Sequence, residues 1–202
     1  MAATLTTESI QCAINRLKNK MDACAGELNE LDGALGDGDL GVTLSRAAGR
    51  LLEDLPNLPE DLGKALFQCA QAFTRVTAST YGTLLATGLM AAARATRGRT
   101  ALPWTEVSPL LSIALKAMSD RGKGQLGDKT VLDAVEAVRK ATQGLGDPTS
   151  LAAAANQAVG VSLAVFRDLP FRQGRARIFG SKGLGRDDPG MVAFKRIVES
   201  LA

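Results

Sequence analysis

The chain has 202 residues, carries a formal net charge of +3, and is 46% hydrophobic and 22% charged. This balance is typical of a soluble globular protein and excludes the disordered, collagen-like and disulfide-stapled mini-protein classes. The sequence contains no histidine, which excludes Ser-His-Asp and Cys-His hydrolases, histidine-ligated zinc and any phosphohistidine step carried by this chain alone.

Apolar residues recur at helical spacing along nearly the whole chain, as at Ile10, Ile14, Leu17 and Met21. Alanine and leucine are abundant and β-branched alternation is rare, which predicts an all-α protein. Proline and glycine signals divide the chain into eight segments, at residues 6–31, 41–55, 60–77, 81–97, 105–120, 129–142, 149–168 and 188–201. Short connections predict a bundle of eight antiparallel amphipathic helices around one core. Because no repeat or flexible linker interrupts it, residues 1–202 are expected to form a single domain.

The remaining composition points to an intracellular protein without disulfides. Cys12, Cys24 and Cys69 form no C-x-x-C pair, so we expect three small buried side chains and neither a disulfide framework nor a thiolate zinc site. No apolar run approaches the ~18 residues of a membrane span, and the first residues lack the features of a secretory signal. Only 4% of the residues are aromatic, which disfavours nucleic acid as a partner. We therefore expect a cytoplasmic protein that binds neither membrane nor nucleic acid.

The strongest chemical signal is the stretch LDGALGDGDLG at residues 31–41, where Asp32, Asp37 and Asp39 stand among glycines. Three carboxylates that a tightly folded backbone brings together repel one another, so a divalent cation is the natural compensating charge. Oxygen ligands favour magnesium, manganese or calcium. A calcium loop of the EF-hand type is disfavoured, because its twelfth position holds Ala48 instead of glutamate. The alternative is an acidic, solvated turn that caps the next helix.

Three glycine patterns resemble nucleotide-binding motifs, but each departs from its motif. Gly36, Gly38 and Gly41 match G-x-G-x-x-G, yet no strand precedes them and two aspartates would face a pyrophosphate. The segment GKGQLGDKT at residues 122–130 resembles a Walker A loop but places Asp128 before the lysine. The segment at residues 174–182 departs from the Gly-Lys order of that loop. A dinucleotide fingerprint and a P-loop are therefore both rejected.

Two further glycine-rich loops carry positive charge. The segment GRARIFGSKGLGRDDPGM at residues 174–191 combines basic side chains, flexible amides and a helix start at Pro189, which are the ingredients of an anion site. A basic surface loop is the alternative. The loop RGKGQLGDKT at residues 121–130 is of the same kind, and it could equally be a helix C-cap followed by a capped start. The acidic region of residues 27–61 and the basic region of residues 167–186 could meet around one anion and its metal.

The three loops LDGALGDGDLG, RGKGQLGDKT and GRARIFGSKGLGRDDPG, in this order and spacing, resemble those of the nucleotide-binding L subunit of dihydroxyacetone kinase. The resemblance spans residues 32–190. It implies a barrel of eight antiparallel helices with ADP or ATP and two magnesium ions at one open end. It also implies that Asp32, Asp37 and Asp39 are the metal ligands and that Arg175 acts with them in phosphoryl transfer.

By the same resemblance, the nucleotide contacts are expected at Leu40, Gly41, Val42, Thr43, Thr80, Tyr81, Gly122, Val131, Arg175, Asp188, Pro189 and Gly190. Two positions depart from the family pattern. Leu40 stands where the family usually has a histidine, which removes a polar contact to the nucleotide. Residues 78–82 replace a Gly-Gly-x-Ser-Gly run that normally lies against phosphates.

The resemblance implies a phosphotransferase subunit that transfers a phosphoryl group to dihydroxyacetone or a related short ketose. In this family a histidine of a separate K subunit holds the ketose, so a chain without histidine is expected to need such a partner. The phosphoryl donor is either ATP or a phosphohistidine protein of the phosphotransferase system that recharges bound ADP. Two alternatives stay open: a nucleotide-loaded regulatory module that binds a transcription factor without turnover, and a purely structural helical domain with an acidic turn.

Overall fold

The computed structural model describes residues 4–76 and 79–201, apart from the side chains of residues 181 and 182. Eight α-helices make up most of this part of the chain: α1 (Thr7–Gly33), α2 (Leu40–Asp54), α3 (Leu62–Val76), α4 (Thr80–Ala95), α5 (Val107–Gly122), α6 (Val131–Ala141), α7 (Pro148–Arg167) and α8 (Pro189–Glu199). The predicted all-α class and the eight helical segments are thus confirmed, with bounds that differ by up to two residues. The predicted end of the third segment, residue 77, lies outside the described residues.

Each helix packs against the next one along the chain, and α8 packs against α1. This closed order makes a ring, so the helices enclose a common core as a barrel. Because consecutive neighbours are joined in sequence, they run antiparallel, and the connections α1–α2, α3–α4, α5–α6 and α7–α8 all lie at one end. We call this end the mouth of the barrel. The described residues also include a two-stranded antiparallel sheet of β1 (Thr4–Thr6) and β2 (Ala101–Pro103), which joins the chain start to the α4–α5 connection.

Small residues let neighbouring helices approach closely. A Cβ on Gly41 of α2 would overlap the backbone carbonyl of Ala25 in α1. A Cβ on Gly63 of α3 would lie 2.5 Å from the carbonyl oxygen of Ala93 in α4. The apolar stripes of the helices meet in one large cluster that includes Met21, Leu44, Val159 and Met191, each at most 2% exposed. The barrel is therefore a packed core and presents its connections, not its interior, to ligands.

Helix starts follow the signals read from the sequence. Thr130 and Asp133 form a capping box at the start of α6. Asp147 and Asp188 cap α7 and α8, and in both helices a proline occupies the first position. These caps satisfy backbone N–H groups that have no partner inside the helix. They fix where α6 and α8 begin, and both of these starts lie at the mouth.

Two expectations from composition need correction. Cys24 and Cys69 are buried, but Cys12 is exposed, because position 12 lies on the outer face of α1 instead of its apolar stripe. Helix α7 is long and apolar enough to cross a membrane, with a mean hydropathy of 1.3 over its 18-residue window. By length and hydropathy, the expectation that no segment could span a membrane was therefore wrong. Core helices of soluble proteins meet the same two criteria, and α7 packs against α6 and α8 in the ring.

Candidate nucleotide and metal site

The connection between α1 and α2 brings three carboxylates together. One oxygen from each of Asp32, Asp37 and Asp39 lies within 4.8 Å of the other two. Asp32 Oδ2 accepts hydrogen bonds from the backbone N–H groups of Gly38 (3.0 Å) and Asp39 (3.1 Å), which fold the loop back onto the end of α1. Gly38 has a φ of 78°, in the left-handed region that glycine enters without strain. The loop is therefore shaped by its own backbone around Asp32.

Gly36 leaves room for the other oxygen of Asp32. A Cβ at this position would lie 2.7 Å from Asp32 Oδ1, which is too close for the carboxylate to stay where it is. Arg175 supplies one positive charge to the three negative ones, through an ion pair with Asp37. The remaining excess of negative charge on a set of hard oxygen ligands fits a divalent cation such as magnesium.

Asp39 precedes α2 but makes no side-chain capping bond to that helix. Instead, Asn29 of α1 caps α2 from outside: its Oδ1 accepts hydrogen bonds from the N–H groups of Gly41 (2.8 Å) and Val42 (3.2 Å). An aspartate directly before a helix normally uses its own side chain for this purpose. Because Asn29 takes over the cap, the carboxylate of Asp39 stays available to a cation.

Arg175 reaches the carboxylates from the neighbouring connection of the ring, since α8 packs against α1. It lies in the long connection between α7 and α8, in a 3-10 helical stretch (Arg175–Gly183). Its ion pair with Asp37 lowers the pKa of that carboxyl group, so Asp37 stays ionised and able to bind a cation. The acidic and basic regions of the sequence therefore meet at the mouth, as their charges indicated.

A second group of predicted residues meets where α4, α5, α6 and α8 end or begin. A Cβ on Gly190 would lie 3.1 Å from the ring of Tyr81, so the start of α8 packs on the start of α4. Tyr81 also packs against the apolar cluster that contains Val131. The Gly122 carbonyl accepts a hydrogen bond from Gln173 (3.2 Å) of the α7–α8 connection. Thr80 is exposed beside Tyr81. These residues form a continuous wall of the mouth.

Two polar groups in this wall are unusual. The Tyr81 hydroxyl is buried and has no hydrogen-bond partner among the described residues, and burial raises its pKa. Asp188 Oδ1 accepts a hydrogen bond from Met191 N–H (2.8 Å) at the start of α8. Burial raises the pKa of Asp188 to about 7, although that bond and the charge of Lys129 act in the opposite direction. A buried hydroxyl without a partner is rare in native proteins.

The start of α2 is less open to a ligand than the sequence indicated. Leu40 is 6% exposed and belongs to the core, and Gly41 serves the close packing of α2 on α1. The N–H groups of Gly41 and Val42 are already bonded to Asn29. Among these predicted nucleotide contacts, the side chains of Val42, which is exposed, and Thr43, which is partly exposed, reach the surface.

Sequence reasoning missed Asn29, Gln173 and Lys129. Asn29 stands three residues before Asp32 in α1, which places the two side chains on one helix face, but that spacing does not reveal a cap on another helix. Gln173 stands between the glycine-rich segment and the end of α7 and carries no local signal. Lys129 lies in the segment that departs from the Walker A motif, and nothing in that segment indicates its contacts with the α7–α8 connection.

Comparisons with known proteins agree with this architecture. The DAK2 domain family matches residues 34–202, a range that begins two residues after Asp32. The ADP-binding subunit of the PEP-dependent dihydroxyacetone kinase of Escherichia coli is 29% identical over 181 residues, which cover 87% of this chain and 86% of that protein. The rat triokinase/FMN cyclase is 31% identical over 212 residues, 99% of this chain and 36% of that protein.

A solved structure shows the same fold. The dihydroxyacetone kinase of C. freundii in complex with AMP-PNP and Mg2+ superposes with a TM-score of 0.74 at 23% sequence identity, over 95% of this chain and 33% of that one. The chain thus spans about a third of that kinase and of the rat protein. Fold and site together define a barrel of eight helices with a carboxylate cluster at its mouth. The chain belongs to the DAK2 domain family.

Proposed function

We propose that this chain is the nucleotide-binding subunit of a kinase for dihydroxyacetone or a related short ketose. It binds ADP or ATP with magnesium at the mouth of the barrel and transfers a phosphoryl group to a sugar held by a separate substrate-binding K subunit. The observation that carries this proposal is the cluster of Asp32, Asp37 and Asp39 with Arg175 at the mouth. The names of its relatives support the same activity, since the Escherichia coli relative is an ADP-binding kinase subunit.

In this proposal the three aspartates hold magnesium, and the family resemblance favours two ions. When bound, magnesium screens the negative charge of the phosphate oxygens. Asp32 is fixed by two backbone N–H groups, and Asp39 is left free by Asn29. Arg175 places a positive charge beside the same cluster, where it offsets charge that develops on the transferred phosphoryl group. The carboxylates thus orient the phosphates and attack nothing.

The wall formed by Thr80, Tyr81, Gly122, Val131 and residues 188–190 is proposed to hold the rest of the nucleotide. The packing of Tyr81 on Gly190 supports this role, because it joins the starts of α4 and α8 into one surface beside the exposed Thr80. Val42 and Thr43 approach the nucleotide from the opposite side, beside the metal ligands. We propose that residues 1–202 form one domain with this function, as the packing of α8 on α1 supports.

The proposed partners follow from the chemistry. A chain without histidine cannot form the covalent link to the ketose that the family places on a histidine of the K subunit. The name of the Escherichia coli relative includes PEP dependence, which supports a phosphohistidine protein of the phosphotransferase system as a donor that recharges bound ADP. ATP is the other donor. The cytoplasm is the proposed compartment, because it supplies nucleotides and keeps thiols reduced.

The test measures binding and transfer separately. Isothermal titration calorimetry with ADP, with and without magnesium, compares the natural chain with an Asp37→Ala, Asp39→Ala double variant. We expect binding that requires magnesium, and we expect the double variant to weaken it by 100-fold or more, about 3 kcal/mol, because two of the three ligands are lost. An Asp22→Ala, Asp120→Ala variant, which removes two exposed carboxylates on helix faces, controls for loss of charge.

Transfer to the sugar distinguishes the kinase from the alternatives. Phosphorylated ketose is expected only when the K subunit and a donor are present. Tight nucleotide binding without transfer in the complete system would favour the regulatory module. Equal ADP affinity for the natural chain and the double variant would contradict the site itself and favour the structural domain.

A further inference from the structure

Lys129 is a lysine buried almost completely just before α6. It is 1% exposed, and no carboxylate of the described residues forms an ion pair with it. Its Nζ donates hydrogen bonds to three backbone carbonyls, those of Arg167 (2.9 Å), Leu169 (2.8 Å) and Gly183 (3.4 Å). The same nitrogen lies 4.1 Å from the centre of the Phe171 ring, a favourable position for a cation.

The three carbonyls come from both ends of one loop. Residues 167–187 leave the end of α7, extend over the mouth and return before α8. The two ends are joined by a hydrogen bond from Gly185 N–H to the Arg167 carbonyl (3.0 Å) and by the Arg167 guanidinium group, which binds Asp187. Lys129 therefore lies at the neck of this closed loop and connects both of its sides to the start of α6.

The buried, left-handed position of Lys129 raises the free energy of the folded state unless its contacts offset that cost. Its φ of 61° is in the left-handed region, which a residue with a side chain enters only under constraint. Its ammonium group is removed from water, and this burial lowers the pKa of Lys129 while Asp188, Asp187 and Asp168 act against the shift. A buried charge needs several partners to be tolerated. The carbonyls and the ring are those partners, and their loss would free the loop.

We propose that Lys129 is a positioning residue that fastens the loop of residues 167–187 to α6 and thereby holds Arg175 against Asp37. The inference rests on the proposed function, because it gives that site a residue which touches neither metal nor nucleotide. The loop has further attachments among the described residues. Arg172 N–H donates to the Asp128 carbonyl (3.2 Å) and Gln173 to the Gly122 carbonyl (3.2 Å). Phe171 and Ala176 also pack against Leu35 of the α1–α2 connection. Arg175 stands two residues after Gln173, so loosening the neck is expected to move its guanidinium group.

The first test uses trypsin on the protein without nucleotide. The loop contains the exposed cleavage sites Arg172, Arg175, Arg177 and Arg186. A Lys129→Met variant is expected to be cut in this loop at least about tenfold faster than the natural chain, because cleavage follows the population of the opened loop. A Lys116→Met variant, which removes an exposed lysine on α5, should be cut there at the natural rate.

The pattern of cleavage distinguishes a local effect on the attachment of the loop from a loss of stability of the whole protein. Faster cleavage confined to residues 172–186 supports the proposal, whereas faster cleavage throughout the chain or a loop cut at the natural rate overturns it. If Lys129→Met does not fold, Lys129→Gln, which carries no charge and whose amide can donate to at most two of the three carbonyls, is analysed in the same way with the same outcomes.

The second test measures magnesium-dependent ADP affinity for Lys129→Met, Arg175→Ala and the double variant. Lys129→Met alone is expected to weaken binding by about 10- to 100-fold, as partners behind a metal site do. Once Arg175 is absent, the same change should weaken binding by no more than about twofold, since the two residues then act as one unit. Independent, multiplicative losses would overturn the inference. Absence of ADP binding by the natural chain would refute the proposed function, while the trypsin pattern would still decide the role of Lys129.

Discussion

The two connections that meet at the mouth are built in opposite ways. The acidic α1–α2 connection has six residues and is shaped from within, because Asp32 accepts two of its backbone N–H groups. The basic α7–α8 connection is much longer and is held from outside by Lys129, Gln173 and the Asp128 carbonyl. The acidic loop therefore positions its carboxylates mainly through its own backbone, whereas the long loop positions Arg175 through contacts with residues distant in sequence.

The largest effect is expected from a substitution inside the acidic loop, which tests whether the loop itself positions Asp32. Gly36→Ala places a Cβ against Asp32 Oδ1 and should displace that carboxylate. We expect magnesium-dependent ADP affinity, measured by calorimetry, to fall about 10- to 100-fold, with the helical content unchanged.

The matched control is Gly26→Ala on α1, where an added Cβ meets nothing within 4 Å. It should leave the affinity unchanged and stabilise the helix by up to about 1 kcal/mol. If Gly36→Ala binds ADP and magnesium as well as this control does, Asp32 is not held by the loop in the way described.

A smaller effect is expected from removing the cap that frees Asp39. In Asn29→Ala the N–H groups of Gly41 and Val42 lose their acceptor, and the Asp39 side chain is in the standard position to replace it. The carboxylate then turns from the cation to the helix. Magnesium-dependent ADP affinity should fall roughly fivefold, the equivalent of the ~1 kcal/mol that such a cap contributes.

Asn15→Ala, an exposed position on the same helix, is the control for this variant and should bind as the natural chain does. A loss of thermal stability in Asn29→Ala without any loss of affinity would mean that the Asn29 cap is not what keeps Asp39 available to the cation.

The smallest effect concerns the residue at the end of the basic connection. Burial raises the pKa of Asp188 from its ordinary value to about 7. The folded state therefore binds more protons than the unfolded state between about pH 4 and pH 7. Stability therefore falls as the pH rises through this range. Asp188→Asn keeps a capping oxygen but carries no charge, and it should be more stable than the natural chain by about 1 kcal/mol above pH 7 and no more stable near pH 4.

Asp147 gives the opposite sign and serves as the control. It caps α7 from an exposed position, and its hydrogen bond from Ser150 N–H lowers its pKa. Its contribution is present above pH 4 and is lost on acidification, so Asp147→Asn should not stabilise the protein at pH 8. Urea unfolding at pH 4, 6 and 8 compares the two variants, and the same pH dependence in both would contradict the role assigned to burial at Asp188.

The fold could be predicted almost entirely from the sequence, since its signals are local. Apolar spacing marks each helix, and Asp147-Pro148 and Asp188-Pro189 mark two of the starts. The acidic loop was predictable for the same reason, because its three aspartates and its glycines are close in sequence. Cys12 was not predictable from cysteine chemistry, since only its place around the axis of α1 decides its exposure.

What the sequence could not predict depends on contacts between distant residues. Asn29 caps a helix twelve residues away, and Lys129 binds carbonyls 38 to 54 residues further along the chain. The same holds for the packing role of Gly41, because no local pattern shows that α2 approaches α1 closely at this position. No local sequence pattern indicates which side chain the folded barrel brings into contact with a distant loop.

The closing of α8 on α1 has a practical consequence for attachment of other proteins. Arg16 binds the carbonyls of Ser200 and Leu201, and Thr7 binds those of Pro59 and Glu60 in the α2–α3 connection. Both termini of the described chain therefore lie at the pole opposite the carboxylates. A fluorescent reporter or an affinity tag joined at either terminus would leave the opening of the barrel unobstructed.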